Sequence, residues 1–263
     1  IYKMKKYLVI GNPIEHSLSP KLHNYWIKKN NINAVYDKKK LNEENIKDVI
    51  LDVKNEKIFG INVTVPFKKS IISLIDELSF EANETQSVNT IYKKNNKVVG
   101  DNTDILGFEK ALKNINYNIE NKKVFILGAG GVAPSIIVTL KRLKVGKIIL
   151  SNRTREKAMN LKNIYEDLEI IDWGKTPSFD MIINATSLGL KKNEEIKINY
   201  SQIGSNKFFY DVIYNPNKTR FLLEGEKLGN KIENGKMMFI YQAQIAFKIW
   251  HNIMPKIHKK LLD

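Results

Sequence analysis

The tightest limit on the fold comes from residues 122–143. An apolar run, Lys122–Leu127, meets the turn Gly128-Ala129-Gly130-Gly131, and a helical segment follows from about 132 to 143. A strand, a glycine turn and a helix in that order open a parallel α/β unit. Gly128, Gly130 and Ala133 have the spacing G-x-G-x-x-A. The first glycine permits a tight turn, and the second lets a pyrophosphate approach the backbone. A small third residue lets helix and strand pack closely, and the free N–H groups at the helix start hold phosphate. A glycine pattern alone is weak, but the flanking strand and helix make a dinucleotide site the expected reading.

The surrounding segments repeat the alternation. A helix is expected over 104–114, then a strand at 147–152 (KIILSN), a helix over 154–163, and strands at 168–171 (LEII), 180–184 (DMIIN) and 207–212 (KFFYDV). That order predicts a parallel sheet. The first hundred residues read differently. Residues 6–10 (KYLVI) predict a buried strand, and 19–30 a helix with Ser19 as N-cap and Pro20 at its first position. Val35 and Tyr36 suggest a strand. Ile46, Val49, Ile50 and Val53 give 42–54 a helical face. Residues 58–65 (IFGINVTV) read as a strand stopped by Pro66, then helix over about 68–78, then a hairpin over 88–99 around Lys-Lys-Asn-Asn-Lys. Residues 236–262 predict a long amphipathic helical stretch with a break at Pro255.

At 263 residues, two domains are the natural expectation. No apolar run is long enough to span a bilayer. The N-terminal lysines and short apolar run lead into Gly-Asn-Pro with no small-residue cleavage site, so they read as a first strand and not as a signal peptide. Met4 is one candidate start, with Ile1 to Lys3 then an upstream extension. The absence of cysteine excludes disulfides, thiolate metal sites and cysteine nucleophiles, and fits a cytoplasmic location. His16, His23, His251 and His258 have no metal-ligand spacing.

The net charge of +15 raises the question of nucleic acid. The excess is almost all lysine spread along the chain, and only Arg142, Arg153, Arg155 and Arg220 are arginines. Together with the many Asn and Ile residues, this reads as compositional drift with lysine on solvated faces. No nucleic-acid partner and no membrane partner is expected. A positive surface would still steer anionic small molecules.

The end of the strand after the glycine turn separates the two nicotinamide dinucleotides. An acid there would bind the ribose hydroxyls of NAD and repel a 2′-phosphate. This chain has Ser151-Asn152-Arg153-Thr154 instead. Arg153 can pair with the phosphate and stack on adenine, while Asn152 and Thr154 supply hydrogen bonds, so NADP is favoured.

Polar clusters gather at element ends in the first half. Ser17 and Ser19 share one turn, and Asn62 and Thr64 alternate onto one face of a strand. Lys68 follows Pro66, Asn89 and Thr90 open the hairpin, and Asp101-Asn102-Thr103-Asp104 marks a junction. Each cluster alone is explained equally well by caps, turns and solvated polar groups. In order and spacing they resemble shikimate dehydrogenase. The motifs are SLSPKLHN at 17–24, INVTVPFK at 61–68, SVNT at 87–90, GDNTD at 100–104, GAGGVAPS at 128–135, SNRT at 151–154, NATSLG at 184–189, YDVIYNP at 210–216 and MMFIYQAQIAF at 237–247.

The resemblance implies an α/β fold with an N-terminal substrate-binding domain, a Rossmann domain and a C-terminal helix that returns to the first domain. The expected bounds are 1–101 with 237–263, and 102–236. It implies reduction of 3-dehydroshikimate to shikimate with NADPH, in the synthesis of chorismate and aromatic amino acids. Lys68 and Asp104 would form the catalytic pair. Ser17 and Ser19 would take the substrate carboxylate, and Asn62, Thr64, Asn89, Asp104 and Gln242 would line the site around the ring hydroxyls, with Tyr214 nearby. Gly128, Ala129, Gly130, Gly131, Val132, Asn152, Arg153, Thr154, Lys157, Asn184, Thr186, Val212 and Gly235 would face the cofactor, and no metal is implied.

Two positions depart from the family pattern. An arginine that often follows the NRT turn is Lys157 here, leaving Arg155 or Lys157 to take its place, and lysine lacks the planar fork. A glycine before the methionine of the last helix is Met237. The rivals are an NAD-using quinate/shikimate dehydrogenase, a non-catalytic sensor on the same fold and, on charge alone, a nucleic-acid binder. Arg153 argues against the first, and the intact Lys68 and Asp104 against the second. Strongly salt-dependent affinity for DNA or RNA would mark the third. The family contains monomers and homodimers, and either is compatible with the sequence.

Overall fold

A computed structural model of the chain describes residues 3–258 and 261. Two residues of the extension ahead of Met4, and part of the C-terminal stretch, lie outside that range. The chain divides into two compact units, Ile1–Gly107 with Ile240–Asp263, and Phe108–Phe239. These divisions fall inside helices, a few residues from the junctions expected at 101 and 236.

The first unit is a six-stranded mixed sheet. Its strands are β1 (Lys5–Gly11), β2 (Ala34–Lys40), β3 (Gly60–Val63), β4 (Glu77–Leu78), β5 (Thr90–Lys94) and β6 (Lys97–Asp101). They lie in the order β2-β1-β3-β5-β6-β4. β1 runs parallel to β2 and β3, and β5 runs antiparallel to β3 and β6. The turn between β5 and β6 is Asn95-Asn96, both at positive φ, which suits a two-residue hairpin. Helices α1 (Ser19–Lys29), α2 (Ile46–Lys54) and α3 (Phe80–Thr85) accompany the sheet. The core joins Ile46, Val49, Ile50 and Val53 of α2 to Ile10, Ile61, Val63, Ile91 and Val98 of the strands. Burying each such side chain contributes about 1.5–3 kcal/mol.

Four sequence expectations change here. Ser19 is the first residue of α1 and not its cap; the cap falls on Leu18, and the Ser17 hydroxyl accepts the Ser19 N–H at 3.3 Å. The helix expected over 68–78 is only a 3-10 turn at Ser70–Leu74 followed by β4. Of that turn only Ile71 is buried, so no continuous apolar face exists to hold a longer helix. Helix α3 was not anticipated, although Ser79 caps it by accepting the Ala82 N–H at 3.1 Å. The last helix stops at His251, ahead of Pro255, where Asn252 takes φ 56°.

The second unit holds six parallel strands: β7 (Lys123–Leu127), β8 (Lys147–Ser151), β9 (Glu169–Ile170), β10 (Met181–Asn184), β11 (Phe208–Asp211) and β12 (Lys231–Glu233). Their spatial order is β12-β11-β10-β7-β8-β9. The chain thus runs outward from β7 to β9, returns to β10 and runs outward the other way. This is the doubly wound order, with its switch point between β7 and β10. Helices α5 (Ala133–Arg142), α6 (Arg155–Ile164) and α7 (Arg220–Lys227) connect strands. Helix α4 (Asp104–Asn114) and helix α8 (Lys236–His251) each contain a unit boundary.

Candidate active site

The register of the first sheet brings the polar clusters to one edge. β1, β3 and β6 end there, and β5 begins there, because Asn62 pairs with Thr90 and Thr90 with Asp101. The segment after β3 is tied to the end of β1, with Thr64 N–H donating to Ile10 O at 3.0 Å and Asn12 N–H to Val65 O at 3.0 Å. Ser17 follows in the loop out of β1 and Ser19 opens α1, with Ser19 buried and Ser17 half-buried.

Lys68 and Asp104 meet at this edge. The ammonium lies 2.6 Å from Asp104 Oδ2, with side-chain exposures of 12% and 7%. Val88 N–H donates to Lys68 O at 2.8 Å, which fixes the lysine against the start of the hairpin. Asp104 opens α4, and its N–H is held by Asn102 Oδ1 at 3.0 Å. A carboxylate in the first turn is favoured by the helix dipole, so the Lys68 ammonium and the positive end of α4 both stabilise the Asp104 anion. Asn89 is buried beside them. Its Nδ2 donates to Thr103 Oγ1 at 2.9 Å and to Gln242 Oε1 at 3.4 Å, and Gln242 comes from α8. Asn62 is buried as well and fully engaged with Tyr36, Asn89 and Thr90.

In the second unit the expected residues gather at the switch point. Gly128 has φ +111°, and a Cβ there would sit 2.8 Å from Thr186 Cγ2 and 2.9 Å from Ala185 O, so only glycine fits. Gly130 is exposed, with nothing within 4 Å of where a Cβ would stand. That is an open backbone surface a phosphate group can approach. Gly131 and Val132 are half-buried and lead into α5, whose Ala133 is fully buried. Ala129 N–H donates to Asn152 Oδ1 at 3.0 Å, and Asn152 Nδ2 donates to Thr154 O at 2.8 Å, which joins the glycine turn to the end of β8.

Arg153, Thr154 and Lys157 are exposed at that end, and neither Arg153 nor Lys157 forms an ion pair among the described residues. Arg155, by contrast, is tied to Asp172 at 2.5 Å. Of the two candidates to replace the family's second arginine, Lys157 is therefore the one without a carboxylate partner. With no acid in the Ser151–Thr154 turn, the residues fit a dinucleotide carrying a 2′-phosphate.

Asn184 is fully buried at the end of β10 and uses all its hydrogen-bonding capacity. It donates to Leu188 O and Asp211 Oδ1, and accepts from the N–H and hydroxyl of Thr186. It shapes the loop and leaves Thr186 half-buried on its surface. Val212 N–H donates to Asn184 O at 3.0 Å, and Gly235 is packed against the Val212 carbonyl. Tyr214 stacks on Phe239, with ring centroids 4.5 Å apart.

Several buried polar residues at these sites had no role assigned from sequence. Tyr36, Thr90 and Thr103 share the Asn89 network, and Asp211 receives bonds from Asn184, Ile213 and Thr219. Burial raises the Asp211 pKa to about 6 despite those donors. The signal for Asp211 and Thr90 was their place inside quoted motifs; for Tyr36 there was none. No group of three or more His, Asp or Glu residues able to hold a metal occurs among the described residues. No described helix is long and apolar enough to cross a membrane.

Comparisons with known proteins place the chain among relatives of one family and one fold. Residues 9–91 match the family described as shikimate dehydrogenase substrate binding domain, and residues 109–212 match shikimate / quinate 5-dehydrogenase. A shikimate dehydrogenase (NADP(+)) of Pelagibacter ubique is 59% identical over 259 residues, covering 98% of each chain. The crystal structure of the Aquifex aeolicus shikimate dehydrogenase superposes with a TM-score of 0.89 at 36% identity, covering 97% of this chain and 96% of that one. The Thermus thermophilus shikimate 5-dehydrogenase, solved with NADP(H) and shikimate, gives 0.88 at 27% identity, covering 96% and 95%.

Proposed function

The chain belongs to the shikimate dehydrogenase family, and from that premise we propose how its residues divide the reaction. The activity is the NADP-dependent reduction of 3-dehydroshikimate to shikimate in aromatic amino-acid biosynthesis. The observation that carries the assignment of roles is the Lys68–Asp104 pair at 2.6 Å, in which Asp104 is buried and Lys68 largely so.

NADPH, when bound, supplies the hydride. Lys68 donates the proton to the carbonyl oxygen as that oxygen takes up charge, and its ammonium stabilises the developing alkoxide. In the reverse direction the neutral amine takes the proton back. Asp104 orients Lys68 and accepts a hydrogen bond from a neighbouring ring hydroxyl. Ser17 and Ser19 hold the substrate carboxylate through hydroxyl donors. Thr64, Asn89 and Gln242 hold ring hydroxyls, Asn62 forms the floor beneath Asn89, and Tyr214 borders the substrate. Of the substrate residues, Ser17, Ser19, Asn62, Thr64, Lys68, Asn89 and Gln242 fall within 1–101 with 237–263, while Asp104, Tyr214 and the cofactor residues fall within 102–236.

For the cofactor, Gly128, Ala129, Gly130, Gly131 and Val132 cradle the pyrophosphate at the start of α5. Asn152, Arg153, Thr154 and Lys157 hold the adenosine end with its 2′-phosphate. Asn184, Thr186, Val212 and Gly235 line the path toward the nicotinamide. The protein acts in the cytoplasm on small molecules, as a monomer or homodimer, without nucleic acid.

The test is initial rates for shikimate and quinate, each with NADP and NAD, followed by absorbance of the reduced cofactor. Fast turnover only with shikimate and NADP supports the full assignment. Equal rates with NAD would remove Arg153 from cofactor selection, and no turnover from folded protein would sink the enzymatic reading.

A further inference from the structure

We infer that Tyr36, Asn62 and Thr90 are positioning residues that fix which edge of the Asn89 amide faces the substrate. The inference rests on the shikimate reading of the site. An asparagine amide presents a donor on one edge and an acceptor on the other, so its orientation decides what a ligand hydroxyl must do.

Two groups with no choice of polarity set that orientation. The Asn89 carbonyl can only accept, and Asn62 Nδ2 donates to it at 3.2 Å. Asn62 Oδ1 therefore faces the other way, where it accepts the Tyr36 hydroxyl proton at 2.7 Å. The second Nδ2 proton of Asn62 goes to Thr90 Oγ1 at 3.2 Å. Thr90 then sends its own proton to Asn89 Oδ1 at 3.0 Å. The Thr103 N–H can only donate, and it reaches the same Oδ1 at 2.8 Å. With two donors on its oxygen, Asn89 turns its Nδ2 toward Thr103 Oγ1 and Gln242.

The far end of this chain is anchored too. Asn24 of α1 bonds both backbone groups of Tyr36, at 2.9 Å and 2.7 Å, and the buried His23 ring lies parallel to the Tyr36 ring at 4.2 Å. Tyr36 itself is 2% exposed and does not reach solvent, so its hydroxyl serves Asn62 and not a ligand.

The consequence is a stated polarity. Asn89 is a donor toward the substrate, so the ring hydroxyl it meets accepts there and directs its own proton to an acceptor, for which Asp104 is the neighbouring carboxylate. A compound lacking that hydroxyl leaves Asn89 Nδ2 with only Thr103 Oγ1 and the longer contact to Gln242 Oε1.

Tyr36→Phe and Thr90→Val each remove one link and keep the shape of the side chain. Both are expected to raise KM for shikimate about five-fold, the weight of one buried neutral hydrogen bond. The kcat and the KM for NADP stay within about two-fold, because binding lost equally in ground and transition states appears in KM alone. Thr90→Ser, which retains the hydroxyl, recovers most of the loss. An unchanged shikimate KM with only a lower melting temperature would overturn the inference. So would a parallel rise in both KM values. A wild-type protein that fails to turn over shikimate overturns the substrate reading and the inference with it, and that outcome is read before any variant is compared.

Discussion

At the scale of single residues, the question is whether Lys68 can be removed without unfolding the protein. Breaking a buried ion pair leaves a charge without its partner, which is often strongly destabilising. Asp104 is protected from that fate in two ways. It stands in the first turn of α4, where the helix dipole favours an anion, and truncating Lys68 opens the pocket to water. Lys68→Ala is therefore expected to stay folded by circular dichroism and lose about 10²- to 10⁴-fold in kcat, the range for a general acid. A kcat near that of the wild type would take Lys68 out of the chemistry. Arg153 offers the complementary case. It is exposed with no carboxylate partner among the described residues, so a bound 2′-phosphate would be its main ionic contact. Arg153→Ala should raise KM for NADP by roughly 10- to 100-fold with little change for NAD, given the strength of charge-assisted pairs. An equal effect on both cofactors would mean that Arg153 does not read the phosphate.

Elements show where the sequence was legible and where it was not. Strands β7 to β11 and the glycine turn followed from apolar runs and from G-x-G-x-x-A, because both signals are local. Helix α7 and strand β12 escaped notice, although Thr219 caps α7 and Phe221 and Leu222 bury its apolar side. The sequence before α7, Asn-Pro-Asn-Lys, reads as an extended loop, and eight residues give a helical period little room to show. The motif residues of the candidate site were readable in order and spacing. Their supports were not: Tyr36 meets Asn62 and Asp211 meets Asn184 only through tertiary contact, and no periodicity announces such partners. Thr219 illustrates the point energetically. It accepts from Leu222 N–H at 3.4 Å and donates to the buried Asp211 carboxylate at 2.5 Å. Thr219→Val should cost about 2–3 kcal/mol, combining a lost cap with a buried carboxylate short of one donor. Thr219→Ser should cost far less. Denaturation with hydrogen exchange of α7 and β11 as the readout decides it, and equal losses in the two variants would assign the effect to packing.

On the scale of the whole molecule, the two units carry buried ionisable groups of opposite sign. In the first unit, burial lowers the pKa of His23 from 6.5 to about 3 and that of His251 to about 4. Neither nitrogen of His23 has a hydrogen-bond partner, and its ring packs among Trp26, Tyr36, Phe247 and Trp250. The unfolded chain takes up protons below pH 6.5 that the folded unit refuses, so this unit loses stability as pH falls from there. At pH 5 the fully buried His23 alone accounts for about 2 kcal/mol. In the second unit, burial raises Asp211 to about 6 and raises Glu233 as well. There the folded state holds protons that the unfolded chain has released, so stability rises as pH falls through 6 toward 3.8. Asp167, lowered chiefly by its bond to Lys141, loses its contribution only as pH falls below its ordinary value of 3.8, outside the window from pH 7.5 to 5. Hydrogen exchange across that window, corrected for intrinsic rates, should therefore show protection falling in β1, β2 and α1 while β10 and β11 hold or gain. Replacing His23 by Leu should flatten the first response and leave the second alone. Loss of protection at the same rate in both units would show that they unfold as one cooperative body and would set this argument aside.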